Sequence, residues 1–168
     1  MKEVTLKSIE MLRGKRVLIV DDEPDVLGAL EEILDICIID TAGDFVAAKE
    51  FLSKNTYDAA ILDIMGVQGY DLLEITTKKD VPTLMLTAHA LSPDNFVKSI
   101  KKGALAYVPK DKMSETAIFL GDILSAHKSR TKRFGKWFAR LEEFFEDRFD
   151  PDWKEKVDPE FWKKIYYV

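Results

Sequence analysis

The sequence predicts an α/β fold, a doubly wound parallel sheet of five strands followed by a helical extension, and three observations carry the prediction. Short apolar runs such as Val17-Leu18-Ile19-Val20 and Ala59-Ala60-Ile61-Leu62 recur along the chain, as strands buried on both faces require. Each run is followed by apolar residues at helical spacing, so strand and helix alternate five times, the pattern of right-handed crossovers onto a parallel sheet. Four of the five runs stop on residues that carry chemistry: Asp21-Asp22-Glu23, Asp63, Thr87 and Lys110.

Taken in order, Met1 to Gly14 is a lead with Leu6, Ile9 and Leu12 at helical spacing, read as one or two helical turns. Arg16 to Val20 is the first strand. Pro24 suits a first helical position, and Val26, Leu27, Leu30, Ile33 and Leu34 share one helix face. The second strand is expected over Ile36 to Asp40, which makes the single cysteine, Cys37, a reduced core thiol. Gly43 and Asp44 open a helix that turns Phe45, Ala48, Phe51 and Leu52 to the sheet and closes at Asn55. Ala59 to Asp63 is the central strand. A third helix starts at Gly69 and ends at Lys78-Lys79-Asp80, and Pro82 to Thr87 follows as the fourth strand. Ser92-Pro93-Asp94 supplies an N-cap, a first-turn proline and a first-turn acid for a helix through Phe96, Val97 and Ile100, ended by Gly103. Leu105 to Lys110 is the fifth strand, and Ser114 is expected to cap a last helix carrying Ala117, Leu120, Gly121 and Leu124.

With 46% hydrophobic and 33% charged residues in 168, the chain has the composition of a folded globular protein. No apolar run approaches the roughly 20 residues of a membrane span, and the amino terminus lacks a signal-type apolar region, so a cytoplasmic location is expected. The net charge of −5 is unevenly spread: Lys128, Arg130, Lys132, Arg133, Lys136 and Arg140 form a basic run with no acid among them. All three tryptophans and six of the ten phenylalanines come after residue 130. That shift places a boundary near residues 125–131 and divides the chain into a lead (1–14), a domain (15–128) and an aromatic extension (129–168).

In the extension, Phe134, Trp137, Phe138, Leu141, Phe144, Phe145 and Phe149 recur at helical spacing up to the breaker Asp150-Pro151. Asp158-Pro159 restarts a short helix with Phe161, Trp162, Ile165 and Tyr166. An aromatic stripe of this size must be covered by the domain, its own partner helix, a second copy in a homodimer, or another protein.

In parallel sheets, ligands gather at the carboxyl ends of the strands, where Asp21, Asp22, Asp63, Thr87 and Lys110 would converge. Singly, each has an ordinary reading: a helix cap, a β-branched strand residue, a surface lysine. His89 reads as a solvated loop residue. Three acids, a hydroxyl and an amine at one rim suit phosphoryl transfer to a carboxylate, with a divalent cation held by hard oxygen ligands.

That set of strand ends, in that order from about Lys15 to about Lys128, resembles the receiver domain of two-component response regulators. The resemblance implies a flavodoxin-like sheet of order 2-1-3-4-5 and a phosphoacceptor at Asp63. It implies Mg2+ held by Asp21, Asp22, Asp63 and the backbone carbonyl of Met65. It further implies that Lys110 pairs with the phosphoryl group, while Thr87 and the aromatic Tyr107 act as a switch. Tyr107 would repack the surface made by the fourth helix, fifth strand and fifth helix, giving a signal through protein contacts. The implied partner is a histidine kinase or phosphotransfer protein, and the only catalysis expected is the domain's own aspartyl phosphorylation and dephosphorylation.

The sequence departs from the family after Asp63, where Ile64-Met65-Gly66-Val67-Gln68-Gly69 lacks the usual proline and reaches its second glycine two residues early. A DNA-binding output is not expected, because roughly 40 residues with two helices are too few for a three-helix helix-turn-helix unit. Membrane attachment through the basic aromatic tail is weakened by Glu142, Glu143, Glu146 and Asp147. An aspartyl-phosphate phosphohydrolase would place a second acid two residues after its nucleophile, where this chain has Met65.

Overall fold

The computed structural model describes the backbone of residues 2–129 and 135–166, with side chains over 6–129 and 136–163. Five strands, β1 (Arg16–Val20), β2 (Ile38–Ala42), β3 (Ala59–Asp63), β4 (Thr83–Thr87) and β5 (Ala106–Pro109), form one parallel sheet of order 2-1-3-4-5. Their crossovers are the helices α2 (Pro24–Ile33), α3 (Phe45–Lys54), α4 (Gly69–Lys78) and α5 (Pro93–Lys101). The lead forms α1 (Lys2–Glu10), and α6 (Thr116–Ser129), α7 (Gly135–Arg148) and α8 (Pro159–Tyr166) follow the sheet. Every residue of β3, β4 and β5 is buried, as continuous apolar runs in a doubly covered sheet require.

Side-chain caps set two helix starts, the one at Ser92 as expected from sequence. Asp44 accepts from the Ala47 amide at 2.8 Å, and Ser92 accepts from the Asn95 amide at 3.1 Å. Two elements differ most from expectation. The second strand runs Ile38–Ala42, two residues later at both ends than expected, because residues 34–37 form a turn in which the Cys37 amide bonds the Leu34 carbonyl and the Gly14 amide bonds the Ile36 carbonyl. Cys37 is therefore half-buried at the end of that turn, with Sγ 3.5 Å from the Leu12 carbonyl; burial and then Asp35 push its thiol up to about 11. Ser114 does not cap α6: it lies inside a 3-10 turn over Lys110–Glu115, and Thr116 Oγ1 bonds back to the Met113 carbonyl at 2.5 Å.

The aromatic stripe of the tail covers the sheet's own β5 edge. Phe96 on α5 is its hub, with the rings of Tyr107, Trp137, Phe138, Phe145, Trp153, Phe161 and Trp162 centred 5.5–6.3 Å away. These contacts join α5, β5, α7, the 150–157 turn and α8 into one apolar layer continuous with the core. Arg140 ties α7 to α6 through Asp122, and Arg148 reaches Asp111 at 3.2 Å. On its other flank α6 meets α1, where Gly121 leaves room for the Ser8 backbone: a Cβ there would sit 2.6 Å from the Ser8 carbonyl oxygen. The indole N–H groups of Trp137 and Trp153 are buried without a hydrogen-bond partner among the described residues, which offsets part of what the tail's burial contributes. Phe134 and the basic residues 130, 132 and 133 lie outside the described residues.

Candidate phosphoacceptor site

The sheet's register sets the rim. Val20 pairs with Leu62, Asp63 with Leu86, and Thr87 with Pro109, so β1, β3, β4 and β5 end at one level. Asp63 closes β3 as a buried carboxylate, and Asp21, the residue after β1, is buried beside it. Lys110, the residue after β5, crosses to both: its Nζ lies 2.8 Å from Asp21 Oδ2, 3.5 Å from Asp63 Oδ1 and 3.2 Å from Glu23 Oε1. Asp21 turns its other oxygen, Oδ1, to accept from the Glu23 amide at 2.9 Å.

The acids outnumber the ammonium. Burial, then the charge of Asp21, pushes the Asp63 carboxyl up to about 6, with Lys110 pulling against them and Asp22 adding to the rise. Burial works against the Lys110 ammonium, but Asp21 and then Asp63 outweigh it and hold the amine above its usual range. Asp21, Asp22 and Glu23 carry carboxylate oxygens that all lie within 4.8 Å of one another. Asp21 Oδ2 is buried, with the Lys110 ammonium 2.8 Å away. Surplus negative charge and clustered hard oxygens fit a divalent cation such as Mg2+.

The loop after β3 accounts for its unusual sequence. Gly66 has φ +85°, and a Cβ there would lie 2.4 Å from Asp22 Oδ2. Gly69 opens α4 so close to β3 that a Cβ would lie 2.1 Å from the Asp63 carbonyl oxygen. Met65 is exposed between them.

Thr87 and Tyr107 are joined through one residue. The Ala90 amide donates to Thr87 Oγ1 at 3.1 Å, and the Tyr107 hydroxyl donates to the Ala90 carbonyl at 2.7 Å. The Ser92 amide in turn donates to the Tyr107 oxygen at 3.1 Å. Tyr107 is fully buried, and burial pushes its phenol well above the ordinary range. Asp21, Asp63 and Lys110 thus meet directly. Asp22 joins through the acidic cluster, while Thr87 and Tyr107 form an adjoining string rather than a direct contact. Sequence reasoning counted Glu23 in the acidic cluster without giving it a role, and it did not single out Ala90. Glu23 was legible as a third consecutive acid, whereas Ala90 acts through its backbone and leaves no side-chain signal.

A family model for the response regulator receiver domain matches residues 17–118. The chain belongs to the response regulator receiver family. Among curated relatives, this receiver chain is 38% identical over 103 residues to the two-component response regulator ARR18 of Arabidopsis thaliana, covering 58% of this chain and 16% of that protein. It is 31% identical over 102 residues to the response regulator protein PilR of Pseudomonas aeruginosa, covering 57% of this chain and 23% of that one. The receiver chain therefore spans less than a quarter of these relatives' own length. Among solved structures, a CheY-like receiver domain protein from Methanospirillum hungatei superposes with a TM-score of 0.63 at 25% identity, covering 70% of this chain and 98% of that one. The receiver's α7 and α8 lie beyond the residues matched by the family model. No helix among the described residues is long and apolar enough to cross a membrane.

Proposed function

We propose that this receiver accepts a phosphoryl group on Asp63 from a histidine kinase or phosphotransfer protein and signals through protein contacts. The observation that carries the reading is the meeting of Asp63, Asp21 and Lys110 at one rim, with Asp63 buried yet placed where β3 opens to the loops. In the transfer, an Asp63 carboxylate oxygen forms a bond to phosphorus as the donor's P–N bond breaks. The electron pair of that bond stays on the donor imidazole, which takes up a proton from solvent.

Asp21, Asp22, Asp63 and the Met65 carbonyl would hold Mg2+, which when bound neutralises the phosphoryl oxygens. Lys110 Nζ is the cation positioned to turn from Asp63 to a phosphoryl oxygen, while Glu23 and Asp21 keep it at the rim. Thr87 accepts from Ala90 through oxygen lone pairs, which leaves its O–H available to donate to the same group. The only reaction supplied is the domain's own phosphorylation and dephosphorylation. Insertion of the tail into lipid is disfavoured because its aromatic face is buried on α5 and β5.

Acetyl phosphate with Mg2+ should form an acyl phosphate that intact mass and peptide mapping place on Asp63. Asp63→Asn should abolish it. Equal labelling of the variant and the parent would overturn the assignment.

A further inference from the structure

The tail is more than a cover for the β5 edge. We propose that Phe145, on α7, is a positioning residue for the phosphoryl site, acting through Tyr107 and Ala90 on Thr87. The inference rests on the function proposed above and adds the tail to the machinery. The ring of Phe145 lies 6.0 Å from that of Tyr107 at an interplanar angle of 34°, and Phe96 meets the tyrosine ring in a T-shaped contact at 5.6 Å. Behind the ring, the hydroxyl of Tyr107 is held by the Ala90 carbonyl and the Ser92 amide. The Ala90 amide is the group that fixes Thr87 Oγ1. Contact is continuous from the tail to the hydroxyl at the end of β4.

The sign follows from the same contacts. With α7 seated, Tyr107 cannot swing out of its slot without striking Phe145, so Ala90 and the loop that follows Thr87 stay in place. Thr87 can then offer its O–H to a phosphoryl oxygen without giving up the Ala90 bond. With Phe145 gone, the tyrosine gains room to leave the Ala90 carbonyl, and Thr87 loses its fixed partner. A seated tail and an occupied Asp63 therefore favour one another, and linkage makes the effect reciprocal.

The test uses the full chain with Mg2+ and beryllofluoride as the phosphoryl mimic, comparing the parent with Phe145→Ala, Phe145→Leu and Phe144→Ala. Phe144 is the control: its ring lies beside Arg148 and Lys112 and meets Phe145 only edge-on, 6.2 Å between centroids, so removing it leaves the Phe145 ring against Tyr107. Phe145→Ala should weaken beryllofluoride binding roughly 2- to 30-fold while Mg2+ affinity stays at the parent value. Phe145→Leu should recover much of the loss, and Phe144→Ala should lose little. Because all three tryptophans lie in the tail, acrylamide quenching reads its seating directly, and beryllofluoride should lower quenching in the parent. Parent-like beryllofluoride binding in Phe145→Ala, or an equal loss in Phe144→Ala, overturns the inference and leaves the proposed function standing. Increased quenching on beryllofluoride addition overturns the stated sign. Failure of the parent to bind beryllofluoride or to accept phosphate overturns the proposed function and the inference with it.

Discussion

Arg140 of α7 donates its Nε hydrogen to Asp122 of α6 across 2.9 Å, and the carboxylate it reaches is almost wholly buried. A buried acid on the helix next to β5 has its charge partner on the tail, so the docking of α7 is specified by charge as well as by aromatic packing. Arg140→Ala should strand that acid and cost about 1–3 kcal/mol in urea unfolding, moderated because the guanidinium is one-third exposed. The paired replacement Asp122→Leu with Arg140→Met should cost much less, since it leaves no buried charge behind.

Titration of Asp63 gives a second prediction. Its folded value of about 6 lies above the ordinary 3.8, so ionising it opposes folding: the cost is absent below about 3.8, grows between the two values, and is complete above about 6. Asp63→Asn should therefore be more stable than the parent by about 1–3 kcal/mol at pH 8 and equal to it at pH 3.5. Carboxyl-carbon NMR without divalent cation should place the midpoint near 6, and Lys110→Met should move it higher, because the ammonium pulls it down.

The two loop glycines should separate metal binding from nucleophile placement. Gly66→Ala meets both a positive φ and the Asp22 carboxylate, so it should weaken Mg2+ binding, read by titration calorimetry, and cost about 1 kcal/mol of stability. Gly69→Ala presses on the backbone of Asp63 itself, and its larger effect should be on the rate of acetyl phosphate labelling.

Phe96 is the packing centre of the tail interface. Phe96→Ala should cost about 3–5 kcal/mol and raise acrylamide quenching of the tail tryptophans, because a cavity there removes the contact shared by α5, α7 and α8.

Much of this architecture was legible in the residues. Apolar runs that stop on acids, a threonine and a lysine located the rim because a doubly covered sheet leaves the strand ends as its main polar edge. The helix cap at Ser92 was readable because a side-chain oxygen at a helix start has one dominant use, and the same chemistry explains the cap at Asp44, read only as the opening of α3. The start of β2 was not. Ile36-Cys37-Ile38-Ile39 is apolar throughout, and only pairing with Arg16 decides which residue enters the ladder. The 3-10 turn after Lys110 defeated the Ser114 cap for a similar reason, as α6 starts where Thr116 can bond the Met113 carbonyl. Periodicity showed that the tail needed a cover but could not name one, because that depends on which face of α5 remained open once the sheet had assembled.

The docking of α7 and α8 on the β5 edge also sets the terms on which a second molecule could use that edge. A resident segment tethered to the surface it covers competes at a high effective concentration, so an incoming copy must outbid it rather than simply find a vacancy. Any pairing of two copies through α5, β5 and α6 would therefore be an exchange reaction, because the aromatic helix has to be displaced first.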